Sequence, residues 1–351
     1  MDPRARILNA LRGEPVAGVP WSTYPGLVPR GQLERELRNR GLAYHHVTSL
    51  FTREMPDVEV TEREAWEEGE RCIYKTYHTP VGEVTEKLRF DEGYGSRWIV
   101  GHMIRRREDY RVVEFMTRNT RLVPQYEGIT DLERDLGGDG VVSVWTTRSP
   151  YQQLAIEVTG LERLVLDRAD GLSELASLRH ALEEQHEAIF RLAAESPATL
   201  IWCPDNVTEG TVGRPLFESY YVPYYNRYAR MMRESGKVLL THLDGNLASL
   251  VEVIGGSELP VIEAFTPPPM GNVGLAEAKA AWPGKVIWAN YPGSVFLQPP
   301  AEIRACTLRL LQEGMPGRRF ILGITENIPQ AVRLDALRAM ADGIEAYERT
   351  I

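Results

Sequence analysis

Cysteine is scarce in this chain. Only Cys72, Cys203 and Cys306 occur among 351 residues, far apart and without a CxxC spacing. That excludes a disulfide framework and a structural zinc knuckle, and it fits a reducing compartment. Long apolar runs are also missing. Those present, such as Val238 to Leu240, are strand-sized and far short of the roughly 20 residues that a membrane span needs. Met1 to Leu8 carries no apolar stretch of secretory type. Basic charge is not in excess: 40 Lys and Arg stand against 49 Asp and Glu, a net charge of −9. Broad binding to nucleic-acid phosphates needs the opposite balance. No glycine-rich fingerprint follows an apolar run, so dinucleotide and Walker-type nucleotide binding have no support. Short repeats and low-complexity tracts are absent as well. The expectation is a soluble cytoplasmic protein that binds neither nucleic acid nor membrane.

What is present has the composition of an ordinary globular fold, 43% hydrophobic and 25% charged. Asp2 to Arg12 places Ile7, Leu8 and Leu11 on one helical stripe, with Gly13 as the stop. A short buried strand is expected at Val16 to Trp21 and a second helix over 32–40. Residues 55–115 alternate apolar and polar side chains, as in Val58 to Val60, Cys72 to Tyr77 and Val84 to Leu88, with a turn at Thr79-Pro80-Val81-Gly82. This predicts an inserted antiparallel β-meander. From residue 141 onward, apolar runs alternate with helical stretches. The runs are Val141 to Trp145, Thr199 to Trp202, Val238 to Thr241, Pro260 to Ile262, Val286 to Ala289 and Arg319 to Gly323. With the strand near Pro20 they make seven. Continuous apolar strands between helices predict a parallel sheet covered on both faces, here an α/β (β/α)8 TIM-type barrel forming one domain over 1–351.

In such a barrel the reacting groups sit at the C-terminal ends of the strands. That rule selects Ser22 and Tyr24, Thr147 and Arg148, Cys203 with Asp205 and Asn206, His242 with Asp244, Glu263, Asn290 with Tyr291, and Glu326 with Asn327. His242 and Asp244 are two apart on an extended segment, so they share a face. The pair suits a metal site, an Asp that orients a His for proton transfer, or a plain structural hydrogen bond. Glu263 and Glu326 close apolar strands, where an unpaired carboxylate is costly, so each needs a cation, a histidine, an arginine or a ligand. His45 and His46 read as a surface loop or helix end. Phe217, Tyr221, Tyr224, Tyr225 and Tyr228 approximate helical spacing and read mostly as packing. Tyr221 at the start of the cluster is a candidate for the barrel mouth.

Several segments together resemble the uroporphyrinogen decarboxylase superfamily. They are Arg4 to Glu14 followed by Val19-Pro20, Thr79 to Gly82, His242 to Gly245, Val261 to Glu263, Ala281 to Gly284, and Phe320 to Gly323 through Pro329. The resemblance spans nearly the whole chain, and the fold it implies is the same (β/α)8 barrel. The decarboxylases of that superfamily hold the porphyrinogen carboxylates with an arginine-rich N-terminal segment. This chain has Trp21 to Arg30 there, without paired arginines. The inserted strands instead look like the corrinoid- and coenzyme-M-linked methyltransferase branch, which binds zinc through His-x-Cys and a later Cys. Matched residue by residue, the resemblance implies His242, Asp244 and Glu326 as metal ligands. Oxygen donors are harder than thiolates and suit zinc in catalytic sites, but also manganese or iron.

The expected function is therefore a methyltransferase-like enzyme acting on a small methylated substrate at the barrel mouth. A divalent metal, zinc first, would be held by His242, Asp244 and Glu326. Asp205 and Glu263 are the expected catalytic carboxylates, with Glu263 beside the metal, and Arg148, Asn206, Tyr221 and Asn290 are expected to bind substrate. A corrinoid protein or a folate would carry the methyl group, and a homodimer is left open. The alternative is carboxy-lyase chemistry, with Arg148 or Arg30 anchoring a carboxylate and Asp205 stabilising the protonated intermediate. A third reading is a non-catalytic protein that binds a small ligand.

Overall fold

Eight short strands carry the central architecture: β1 (Trp21–Thr23), β2 (Leu42–Ser49), β3 (Gly140–Trp145), β4 (Leu200–Cys203), β5 (Val238–His242), β6 (Val261–Phe265), β7 (Val286–Asn290) and β8 (Phe320–Ile324). The structure is a computed structural model that describes residues 1–91, 96–316 and 318–350. Each strand pairs in parallel with its successor, and β8 pairs with β1, so the sheet closes into a barrel. Parallel strands covered by helices lose water from both faces, which is why β5 to β8 read as nearly unbroken apolar runs. This is the expected (β/α)8 barrel with extra antiparallel sheet near its N-terminal part.

The eighth strand, β2, is the one that the apolar runs did not reveal. Leu42 to Ser49 pairs with β1 and β3, and His45 is buried with its Nε2 2.8 Å from the Ser143 hydroxyl. The loop or surface reading of His45 is thus corrected. The imidazole tolerates the interior because a hydroxyl partner on the neighbouring strand meets it.

Local chemistry sets the element ends. In helix Pro3–Arg12 the Asp2 carboxylate accepts from the Ala5 N–H at 2.7 Å, and Gly13 leaves the helix at φ 73°.

The chain divides into two compact units. The first comprises residues 1–49, 126–145 and 193–351 and contains the whole barrel. The second comprises residues 50–125 and 146–192. The second unit holds the expected meander as four antiparallel strands, Glu59–Glu67, Glu70–Thr79, Gly82–Asp91 and Ser96–Gly101. The Glu68-Gly69 corner between the first two has both φ angles positive, the conformation that matches strand twist in a two-residue hairpin. The unit is wider than the 55–115 segment, since Thr146 to Leu192 belongs to it. Each unit has its own apolar cluster. Leu240, Val261, Val286, Trp288 and Ile321 belong to the first, and Tyr110, Val113, Leu154, Leu178 and Leu182 to the second. Among the described residues, no helix is long and apolar enough to cross a membrane.

Candidate active site

Strand register builds the centre of the site. His242 at the end of β5 is the ladder partner of Glu263 on β6, and Glu263 is in turn the partner of Trp288 on β7. After Glu263 the β6 ladder shifts register, with Ala264 at φ 58°. Such an irregularity re-aims the neighbouring side chain.

Glu263 is fully buried, yet both of its oxygens have hydrogen-bond partners. The Tyr24 hydroxyl donates to Oε1 at 2.6 Å. Trp202 Nε1–H and His242 Nδ1 meet Oε2 at 2.8 and 2.6 Å. Burial alone would raise the carboxyl pKa. The His242 charge and hydrogen bond, the nearby His45 and the Tyr24 hydroxyl outweigh it and hold the pKa down to about 2. Glu263 is therefore ionised and can only accept, which assigns the hydrogen to His242 Nδ1. The Tyr24 hydroxyl responds in the opposite sense. Its pKa is pushed far up by burial and by the Glu263 charge.

With Nδ1 committed, Nε2 of His242 is the ring atom turned to Asp244, whose Oδ2 lies 3.8 Å away. That same oxygen accepts from Asn206 Nδ2 at 3.4 Å. Glu326 is close enough to sense both groups. Its pKa is raised by burial and by the Asp244 charge, and lowered in part by His242 and by a hydrogen bond from Asn290. Asn290 is buried, and its other contacts are the Thr325 N–H at 3.2 Å and the Thr266 hydroxyl at 3.3 Å. Aromatic rings wall the pair. Trp202 meets the His242 ring edge-on at 5.6 Å, and His45 stacks on Trp288 at 4.5 Å. Trp288 Nε1 donates to the Ser22 hydroxyl at 3.0 Å.

His242, Asp244, Glu263, Glu326, Asn206 and Asn290 thus belong to one neighbourhood in the first unit. Asp205 is fully buried and accepts from the Tyr225 hydroxyl at 2.5 Å. Tyr221 is buried in the aromatic packing beside Phe217 and Tyr225. Arg148 lies in the second unit, where Nη1 meets Glu157 Oε1 at 2.8 Å. Sequence reasoning missed His45, Trp202 and Trp288. The apolar residues Leu42, Ala43, Tyr44 and Val47 on either side of the histidine pair were the available signal for the first. A tryptophan at the end of an apolar strand gave none for the other two.

As donors, an imidazole nitrogen backed by a buried carboxylate and two further carboxylates fit a divalent cation chemically. Their arrangement is not closed, however. Among the described residues no three His, Cys, Asp or Glu side chains are gathered so as to hold a metal ion.

Comparison with known proteins agrees with this architecture. The chain is 20% identical over 261 residues to a uroporphyrinogen decarboxylase of Anaeromyxobacter dehalogenans, covering 71% of this chain and 70% of that one. Its fold is similar to that of a methyltransferase from Methanosarcina mazei, at a TM-score of 0.59 and 12% identity over 99% of both chains. Residues 87–347 match the uroporphyrinogen decarboxylase (URO-D) family, and the chain belongs to that family.

Proposed function

We propose that this URO-D family member is a methyltransferase-like enzyme acting on a small, neutral or cationic methylated substrate. The observation that carries the reading is the buried Glu263 carboxylate at His242 Nδ1, which in the neutral imidazole keeps the proton on Nδ1 and leaves the lone pair on Nε2. Asp244 and Glu326 bring two more carboxylates to the same neighbourhood. An acidic rim attracts a cation and repels a polycarboxylate. That disfavours a porphyrinogen, as does the Trp21 to Arg30 segment without paired arginines. The methyltransferase fold of the M. mazei protein is in keeping with this choice, and the A. dehalogenans relative keeps decarboxylation as the rival.

In this scheme Tyr24 and Trp202 hold Glu263, and Glu263 holds His242. Asn206 and Asn290 orient Asp244 and Glu326. A divalent metal, zinc first, would be held by His242 Nε2, Asp244 and Glu326 once the two carboxylates converge. When bound it would supply Lewis-acid polarisation of the substrate heteroatom. A corrinoid protein or a folate is the proposed external methyl carrier.

Elemental analysis after purification without chelator tests the ligand set. Near-stoichiometric metal is expected, falling at least tenfold in His242→Ala and Glu326→Gln. Equal metal content in wild type and variants would remove the set. Methylated amines and thioethers are then offered with reduced cobalamin as acceptor, and methylcobalamin should form. Carbon dioxide released from uroporphyrinogen, without methyl transfer, would overturn the reading in favour of the lyase.

A further inference from the structure

The second unit contains a cavity of about 620 Å³, within the range of small-ligand sites. Part of its wall is thioether and aliphatic surface, from Met55, Met103 and Met116 among others. Such side chains adapt to an apolar ligand body. Arg53, Arg97, Arg148, Glu86 and Glu157 also line it. The two carboxylates are already engaged. Glu157 accepts from Arg148 at 2.8 Å, and Glu86 accepts from the neutral Tyr77 hydroxyl at 2.8 Å. Arg53 forms no ion pair within 4 Å among the described residues. The carboxylate whose charge reaches it is Glu157. Surrounding protein desolvates its guanidinium in part, enough to draw its pKa down, while the side chain still reaches the surface. A cation so placed, with no carboxylate of its own, is stabilised by an incoming anion. Three guanidiniums thus face two carboxylates, beside an apolar wall. Nothing here depends on the His242 and Glu263 reading.

We propose that this cavity binds a small organic monocarboxylate, with Arg53 receiving the carboxylate and the methionine wall receiving the apolar body. The planar guanidinium fork matches a carboxylate in a bidentate pair, and one unmatched positive charge calls for one negative charge.

Calorimetric titration of the full chain with 2-naphthoate, and separately with the uncharged 2-naphthylmethanol, tests this. Naphthoate is expected to bind at least tenfold more tightly than the alcohol. Arg53→Gln should reduce naphthoate affinity to the level of the alcohol and leave alcohol binding unchanged. Met116→Trp, which fills the cavity, should weaken both probes at least tenfold, with thermal unfolding confirming a folded variant. The solvent-reaching Arg53 makes the first variant independent of core folding. The proposal is overturned if Arg53→Gln binds naphthoate as the wild type does. It is equally overturned if the two probes bind alike, or if wild type takes up no naphthoate at millimolar concentration.

Discussion

Tyr24 serves a carboxylate that has no water to turn to. Glu263 is ionised and fully buried, so every hydrogen bond it receives replaces lost hydration. Tyr24→Phe keeps the ring and removes the 2.6 Å donor. The expected cost is about 1.5–3 kcal/mol, the range for a hydrogen bond to a charged group. Urea unfolding of the two proteins measures it, and a difference below about 0.5 kcal/mol would mean that the phenol does not matter to the carboxylate. His186 makes a separate point about buried imidazoles. Burial, assisted by the Arg53 charge, lowers its pKa to about 3, and its Nε2 lies 2.7 Å from the Thr147 hydroxyl. The folded chain refuses a proton there that the unfolded chain accepts below about pH 6.5. Stability is therefore complete above that pH and is lost as pH falls toward 3, by about 1.4 kcal/mol per pH unit. Comparing unfolding free energies at pH 7 and 5, wild type should lose about 2 kcal/mol more than His186→Gln. Equal losses would contradict the assignment.

At the level of elements, the sequence is legible where its strands are uniformly apolar and opaque where they are not. β3 to β8 stand out because helices cover them on one side and the barrel interior on the other. β2 carries two adjacent histidines, one buried against Ser143 and one half-buried, and this breaks the apolar run. The meander was readable because its strands alternate in polarity. His242 and Glu263 could each be picked out as polar ends of apolar strands. Their bond to one another could not, because cross-strand register is set by the closed sheet and not by either segment alone. Arg148 was picked by its position after a strand, and the chain enters the second unit at Thr146. The β2–β3 junction also has a sharp steric requirement. Gly140 pairs with Tyr44, and a Cβ at Gly140 would stand 2.1 Å from the Tyr44 carbonyl oxygen. Backbone cannot move aside as a flexible side chain does. Gly140→Ala is expected to lose about 3 kcal/mol or more, at or beyond the usual overpacking range. A thermal midpoint within 2 °C of wild type would show that the strands separate more easily than their pairing implies.

Across the whole molecule, the division into units constrains what can be removed. The second unit is assembled from two stretches of chain, 50–125 and 146–192. Its apolar cluster joins Tyr77, Val84, Ile104, Tyr110 and Val113 from the first stretch to Leu154, Val158, Leu178 and Leu182 from the second. Deleting residues 55–115 would strip most partners from six buried side chains of 146–192 and leave an exposed apolar patch. Such a protein is expected to aggregate and to bind an apolar fluorescent dye several-fold more strongly than the intact chain. A deletion variant that stays monomeric and dye-silent would show that residues 146–192 can find cover without the meander.

The imidazole and the carboxylate at the heart of the barrel are neighbours by strand pairing, not by the course of any connecting segment. Mutational drift can therefore lengthen, shorten or recolour the turns around the opening while leaving this dyad in place. A lineage built on such a scaffold can change its diet of small molecules without having to reinvent the groups that act on them.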